Sequence, residues 1–187
     1  MTEEARHFET ELAVIGSGIA GFAASIFALN RKITTAQVGN TGAVAYTTGY
    51  LDLLGKIEGE ATPIENPWEG VESLRTKFPD HPLNGVSASD TREAFNQFTA
   101  FLGECGIAYS SPTETNITAL SPAGTLKKTL CVPSTMAAGP KAFAAKSPCV
   151  IVDFKGLKGF SGRQVVANLQ DKWPNLRTER IDFPEML

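Results

Sequence analysis

Gly16, Gly18 and Gly21 stand in G-x-G-x-x-G spacing within the stretch "ELAVIGSGIAGFAAS" of this 187-residue chain. That spacing has chemical meaning at the turn from a strand into a helix. The first glycine permits a tight turn, the second lets backbone approach a phosphate, and the third lets helix and strand pack closely. Bare backbone N–H groups and the positive end of the helix dipole then face an anion. The pattern alone is weak and gains force only where a strand precedes it and a helix follows. The expected phosphate or pyrophosphate cradle is Gly16, Gly18, Ile19, Ala20 and Gly21, and the Ser17 hydroxyl faces either ligand or solvent. The competing reading is a glycine-rich turn that binds nothing.

The flanking residues supply the required context. Residues 12–15 read as a short buried strand. The apolar positions Ile19, Phe22, Ala23, Ile26, Phe27 and Leu29 recur close to helical period and predict a helix ending near Asn30. Residues 34–38, rich in β-branched side chains, read as a second strand, which completes a βαβ unit. That strand ends in Gly39, where dinucleotide-binding folds usually carry an acid. A carboxylate there would accept hydrogen bonds from the adenosine ribose, an interaction of about 1.5–3 kcal/mol. Its absence weakens the case for NAD or FAD held in the usual way. Arg31 and Lys32 precede the strand instead of following it, so they do not signal NADP. FMN fits the pattern, and so does FAD with its adenosine held by backbone or by Asn40.

Beyond this unit, the stretch "GNTGAVAYTTGYLDLLG" begins with small residues that let backbone come close to a ligand; its second half reads as a helical turn or a packed loop. Prolines at 63, 67, 79 and 82 punctuate an excursion with one helix over residues 68–77. Asp90 and Glu93 have capping-box spacing, and Ala94, Phe95, Phe98, Phe101, Leu102 and Cys105 form an apolar stripe that Gly106 stops. Residues 117–120 and 125–132 flank "SPAG" as an antiparallel hairpin. Residues 149–154 form an apolar strand interrupted by Asp153. Ser161 and Gln164 make a second capping box, Val165, Val166, Leu169 and Trp173 give the next helix its buried face, and residues 180–183 suggest another strand. The expected fold is α/β: a Rossmann-like FAD/NAD(P)-binding domain over 1–62 and 134–187, with an inserted α+β cap over 63–133, cut short at its C-terminus.

Composition excludes several other classes. A net charge of -3 with 20% charged residues makes no field attractive to nucleic acid. The three cysteines, Cys105, Cys131 and Cys149, include no C-x-x-C pair, so no zinc or iron–sulfur site is expected. The N-terminus lacks the basic region and cleavage site of a signal peptide, and no apolar run reaches the ~18 residues of a membrane span. A cytoplasmic protein is expected, touching a membrane only through a partner. No residue stands out as a catalytic acid, base or nucleophile. His7 and His81 read as surface histidines, Asp52 as a turn cap or amide acceptor, and Lys127 and Lys128 as a solvated hairpin face.

Four further pieces occur in order along the chain: "AYTTGYLDLLG", "LCVPSTMAAG", "VIVDFKGLKGFSGRQVVANLQ" and "ERIDFP". Together with "VIGSGIAGFAAS" they resemble the N-terminal part of the B (flavoprotein) subunit of anaerobic glycerol-3-phosphate dehydrogenase, a family that also tends to lack an acid after its second strand. The resemblance implies a flavoprotein, with FMN or FAD, that works beside a catalytic FAD subunit and an iron–sulfur subunit at the membrane. Such complexes oxidise sn-glycerol 3-phosphate to dihydroxyacetone phosphate and pass electrons toward the quinone pool. It also implies that the backbone of Thr47, Thr48 and Gly49 lies along the flavin, with a tight structural turn as the alternative. Family members continue well past residue 187, so the segment that completes a flavin site is expected to lie outside this chain. Two other readings fit the same residues: a stand-alone FAD-dependent oxidoreductase, and an assembly module with a vestigial nucleotide site.

Overall fold

The computed structural model describes residues 7–40, 42 and 47–184; residues 1–6, 41, 43–46 and 185–187, including part of the small-residue stretch after Gly39, lie outside the described residues. Strand β1 (Leu12–Ile15) leads into helix α1 (Ile19–Asn30), which returns the chain to β2 (Thr35–Val38). The two strands pair in parallel, with Leu12 opposite Thr35 and Ile15 opposite Val38. Ser25, Ile26 and Ala28 are the buried residues of α1.

Helix α2 (Pro67–Lys77) begins where the Asn66 side chain accepts the amides of Trp68 and Glu69 and where Pro67 is preset for a first helical position. Helix α3 (Ala88–Glu104) starts earlier than its expected Asp90 boundary. Its cap is Ser87, whose Oγ accepts the Asp90 amide at 3.0 Å, and Asp90 instead places its charge in the first turn, near the positive end of the dipole. Ser87 and Asp90 have the same three-residue spacing as Asp90 and Glu93, which is why the pattern allowed either frame.

Strands β3 (Ile117–Leu120) and β4 (Leu126–Thr129) form the expected antiparallel hairpin, but its second strand ends before 132. Leu130, Cys131 and Val132 leave the ladder to meet other backbone: Leu51 bridges to Cys131, and the Ser110 amide donates to the Val132 carbonyl at 2.9 Å. The "YLDLLG" segment is therefore a packed loop. Helix α4 (Ala138–Ala144) precedes a second parallel βαβ unit of β5 (Cys149–Phe154), α5 (Gly162–Leu169) and β6 (Leu176–Ile181). Ser161 caps α5 by accepting the Gln164 amide, and the buried Asp153 carboxylate accepts the Gly162 amide at 3.0 Å. Strand β6 begins at Leu176, not at 180. Its exposed Arg177 and Glu179 alternate with the inward Leu176 and Thr178, a period-2 pattern that the charges disguise.

Among the described residues three buried clusters hold these units, the smallest made of Tyr50, Ala119 and Val132. Ile26, Leu51, Trp68, Phe98, Leu130 and Cys131 join α1, the Leu51 loop, α2, α3 and the end of the hairpin, so packing is continuous across residues 62 and 63. Phe143, Val165, Leu169, Trp173 and Leu176 form another, against which Leu120 and Leu126 of the hairpin pack. Among the described residues, β1–β2 and β5–β6 remain separate two-stranded sheets. Helix α1 packs against both strands of the first, while on this sheet Ile15 is 89% and Val38 66% exposed. No helix among the described residues is long and apolar enough to cross a membrane.

Candidate functional site

The chain leaves β1 through Gly16 at φ 127, a conformation that side chains rarely adopt. The Gly16 amide donates to the Val38 carbonyl at 2.8 Å, and the Gly16 carbonyl accepts from Gln37 Nε2 at 2.7 Å. Gln37 Oε1 in turn accepts from Ser25 Oγ at 3.1 Å. One β2 side chain thereby ties the turn to the helix that follows it. Sequence reasoning missed Gln37; the signal was a lone amide in a strand otherwise made of Thr, Ala and Val.

Gly18 is the N-cap of α1, with no side chain capping the helix and no acid in its first turn. The Phe22 amide makes the first rung, to the Gly18 carbonyl at 3.0 Å. Helix geometry leaves the amides of Ile19, Ala20 and Gly21 without an intrahelical acceptor. A Cβ on Gly18 would meet nothing within 4 Å, whereas one on Gly21 would run into the Gly16 carbonyl. Gly16 makes the turn, Gly18 faces open space and Gly21 lets α1 sit on the end of β1. Aligned donors without an intrahelical acceptor, a favourable dipole and no acid in the first turn fit the phosphate of a nucleotide cofactor.

Beyond β2, Gly39 and Gly42 lie against this turn. A Cβ on Gly39 would fall 2.8 Å from the Ser17 nitrogen and 2.9 Å from its Oγ, and one on Gly42 would fall 2.7 Å from the Gly18 nitrogen. Ser17 is half-buried between the turn and this segment.

Thr47 and Thr48 turn their hydroxyls to local backbone, accepting the amides of Gly49 and Tyr50 at 3.3 and 3.4 Å. Gly49 has φ 70, and its carbonyl accepts from the Tyr109 hydroxyl at 2.6 Å. The residues that follow line a cavity of about 380 Å³ between α1 and α3, where Tyr50 and Asp52 meet Ile19, Phe27, Phe95 and Phe98. The cavity brings Ile19 of the cradle to the loop that Thr47, Thr48 and Gly49 begin, although those three do not line it. Burial pushes the Tyr50 and Tyr109 phenols up from their ordinary range, so both remain neutral donors, Tyr50 to the Leu120 carbonyl at 2.8 Å.

The other polar candidates have structural partners. Asp52 pairs with Lys127 at 2.6 Å instead of capping a turn. Lys128 bonds Glu65 at 2.6 Å and Thr118 Oγ1 at 2.8 Å, so a cavity of about 550 Å³ beside both lysines has much of their charge already neutralised. His81 Nδ1 accepts the Leu83 amide at 3.2 Å and caps a short 3-10 turn. His7 is exposed.

A glycine turn between a parallel strand pair and its crossover helix defines a nucleotide-binding α/β domain, and comparison with known families gives its class. The FAD binding domain family matches residues 11–177, and the chain belongs to that family. Of the two flavins expected, FAD is the one this family carries. Among curated proteins the chain is similar to the B subunit of the anaerobic glycerol-3-phosphate dehydrogenase of Vibrio cholerae serotype O1, with 28% identity over 122 residues, 64% of this chain and 28% of that protein. The corresponding Vibrio vulnificus protein is 30% identical over 122 residues, 64% of this chain and 27% of that protein. The probable counterpart in Halobacterium salinarum is 27% identical over 180 residues, 94% of this chain and 40% of that protein. The chain spans well under half the length of these curated relatives. No solved structure matches it.

Proposed function

We propose that this chain is the flavin-binding part of an anaerobic glycerol-3-phosphate dehydrogenase complex. In that role it passes electrons from oxidation of sn-glycerol 3-phosphate to dihydroxyacetone phosphate toward the quinone pool. A catalytic FAD subunit and an iron–sulfur subunit complete the complex, and the membrane is reached through them. The observation that carries the reading is the open cradle at the α1 N-terminus, where Gly18 faces free space and no first-turn acid repels an anion. The names of the relatives support the choice of complex.

In this reading the amides of Gly18, Ile19, Ala20 and Gly21 hold the phosphate, Gly16 sets the turn and the Ser17 hydroxyl lies at its edge. The backbone of Thr47, Thr48 and Gly49 faces the flavin side, and the apolar walls of the α1–α3 cavity exclude water. Residues 1–62 and 134–187 serve the flavin, and 63–133 form the inserted cap. Bound FAD supplies the electron-accepting chemistry, so the side chains need only place it and tune it. The test is titration of FAD into the protein at its natural length, followed by flavin fluorescence, with Gly18→Ala alongside. Saturable binding that Gly18→Ala weakens about tenfold is expected, a change of about 1.4 kcal/mol. Flavin fluorescence indifferent to the wild-type protein at its natural length refutes the flavin role. Co-purification with dehydrogenase subunits, but without flavin, favours the assembly module instead.

A further inference from the structure

The phosphate turn is shaped from outside by the chain leaving β2. A Cβ on Gly39 would lie 2.8 Å from the Ser17 nitrogen, 2.9 Å from Ser17 Oγ and 3.0 Å from the Gly16 carbonyl carbon. A Cβ on Gly42 would lie 2.7 Å from the Gly18 nitrogen and press on the Ser17 carbonyl. Neither glycine has a left-handed φ, so the neighbouring turn, and not local backbone conformation, demands glycine there. The atoms met first are mostly backbone, which cannot swing aside as a long side chain can. Gly18 differs: its absent Cβ faces open space.

We propose that Gly39 and Gly42 are positioning residues for the nucleotide cofactor. By carrying no side chain they let their own backbone lie flush on Ser17 and Gly18, and this contact holds the turn with its amides directed at the anion. Main chain thus takes the place where other dinucleotide sites present a carboxylate. The inference rests on the flavin reading of the same turn and adds which residues shape it. One consequence separates it from simple loss of an acid: restoring an acid at 39 weakens binding, because its first carbon displaces Ser17 before the carboxylate can reach a ribose.

The test compares Gly39→Ala, Gly42→Ala and Gly39→Glu with wild type and Gly18→Ala in the protein at its natural length. The readouts are amide hydrogen exchange at residues 16–21, the thermal midpoint and FAD titration by fluorescence. Substitutions at 39 and 42 should speed exchange at the turn more than elsewhere in the chain and weaken FAD by about tenfold or more, with a lowered midpoint, most of all at 42 where the added carbon meets the Ser17 carbonyl. Gly18→Ala should weaken FAD with wild-type exchange. Wild-type exchange in the 39 and 42 variants overturns the proposal, as does FAD binding by Gly39→Glu that equals or exceeds wild type. If wild type binds no FAD, the flavin reading fails while the exchange comparison still decides the positioning role. If a methyl at 42 lowers the midpoint, the wild-type chain decides: FAD must protect amides 17, 18, 39 and 42 together, and protection confined to 17 and 18 counts against the proposal.

Discussion

Gly21 and Gly103 both lie in helices, α1 and α3, and the same substitution at each should move stability in opposite directions. Replacing glycine by alanine in an open helix gains about 0.8–1 kcal/mol. Nothing lies within 4 Å of a Cβ built on Gly103, so Gly103→Ala should realise about 0.5–1 kcal/mol of that gain near the helix end. At Gly21 the added methyl would run into the Gly16 carbonyl, lie 3.0 Å from its carbon and 3.3 Å from Gln37 Nε2. The obstructing atoms belong to a backbone turn fixed at positive φ, so α1 must shift off the end of β1. Overpacking costs about 1–3 kcal/mol, and a backbone obstacle places this case at the upper end. The shift also costs the 2.7 Å hydrogen bond from Gln37 to Gly16, about 1 kcal/mol. Less the propensity gain, Gly21→Ala should destabilise by about 2–3 kcal/mol. At about 2–4 °C per kcal/mol for a chain of this size, it should melt roughly 4–12 °C below wild type and Gly103→Ala roughly 1–4 °C above. Thermal unfolding followed by circular dichroism, with urea titration as a second axis, measures both. If Gly21→Ala melts with Gly103→Ala, α1 does not seat on the Gly16 carbonyl, and the turn is not held by that contact.

The remaining expectations concern single groups. Arg92 lies over the Trp68 ring and makes two 2.8 Å bonds to Glu114, and these hydrogen bonds hold the Glu114 carboxyl below its ordinary range. A lowered folded pKa contributes stability above the unfolded value near ~4.3 that is lost as pH falls through the folded one, so Glu114→Gln should flatten the acid side of the Tm-versus-pH curve; parallel curves would refute this. Burial pushes the Cys131 thiol up to about 11, whereas Cys105 is exposed. Iodoacetamide at about pH 8 should therefore modify Cys105 in the native chain and Cys131 only after unfolding, as read by mass spectrometry. Asp153→Ala should cost about 1–3 kcal/mol in urea unfolding by removing the acceptor of the Gly162 amide, and an unchanged midpoint would argue against that bond.

Periodicity and glycine spacing made the first βαβ unit legible to within a residue at each boundary, because α1 and its strands bury faces of the expected period. Boundaries failed where two local signals competed, as at Ser87 and Asp90, or where charge masked an alternating strand, as at Arg177 and Glu179. The glycine turn was readable because each glycine acts through local chain geometry. Gln37, Gly39 and Gly42 were not, since their roles arise when β2 and its exit fold back onto residues some twenty positions earlier. Gly39 looked like a missing group; in three dimensions a side chain there has nowhere to go. Asp52 and Lys127 likewise appear unrelated along the chain and become partners only when the hairpin meets the Leu51 loop.

Ile15 and Val38 face each other across the β1–β2 register while most of their surface meets water, and Phe22 and Leu29 of α1 are 44% and 60% exposed. Among the described residues these parallel strands have an uncovered apolar face and unpaired outer edges, and such surfaces attract one another nonspecifically. In the test tube this makes the colloidal behaviour of the chain a concern separate from its folding. Light scattering should grow with protein concentration and with ammonium sulfate, and Ile15→Lys should suppress it without touching the amides at the helix start. A preparation handled dilute, at low salt, will report on the glycine turn itself; a concentrated one will report on how its molecules adhere.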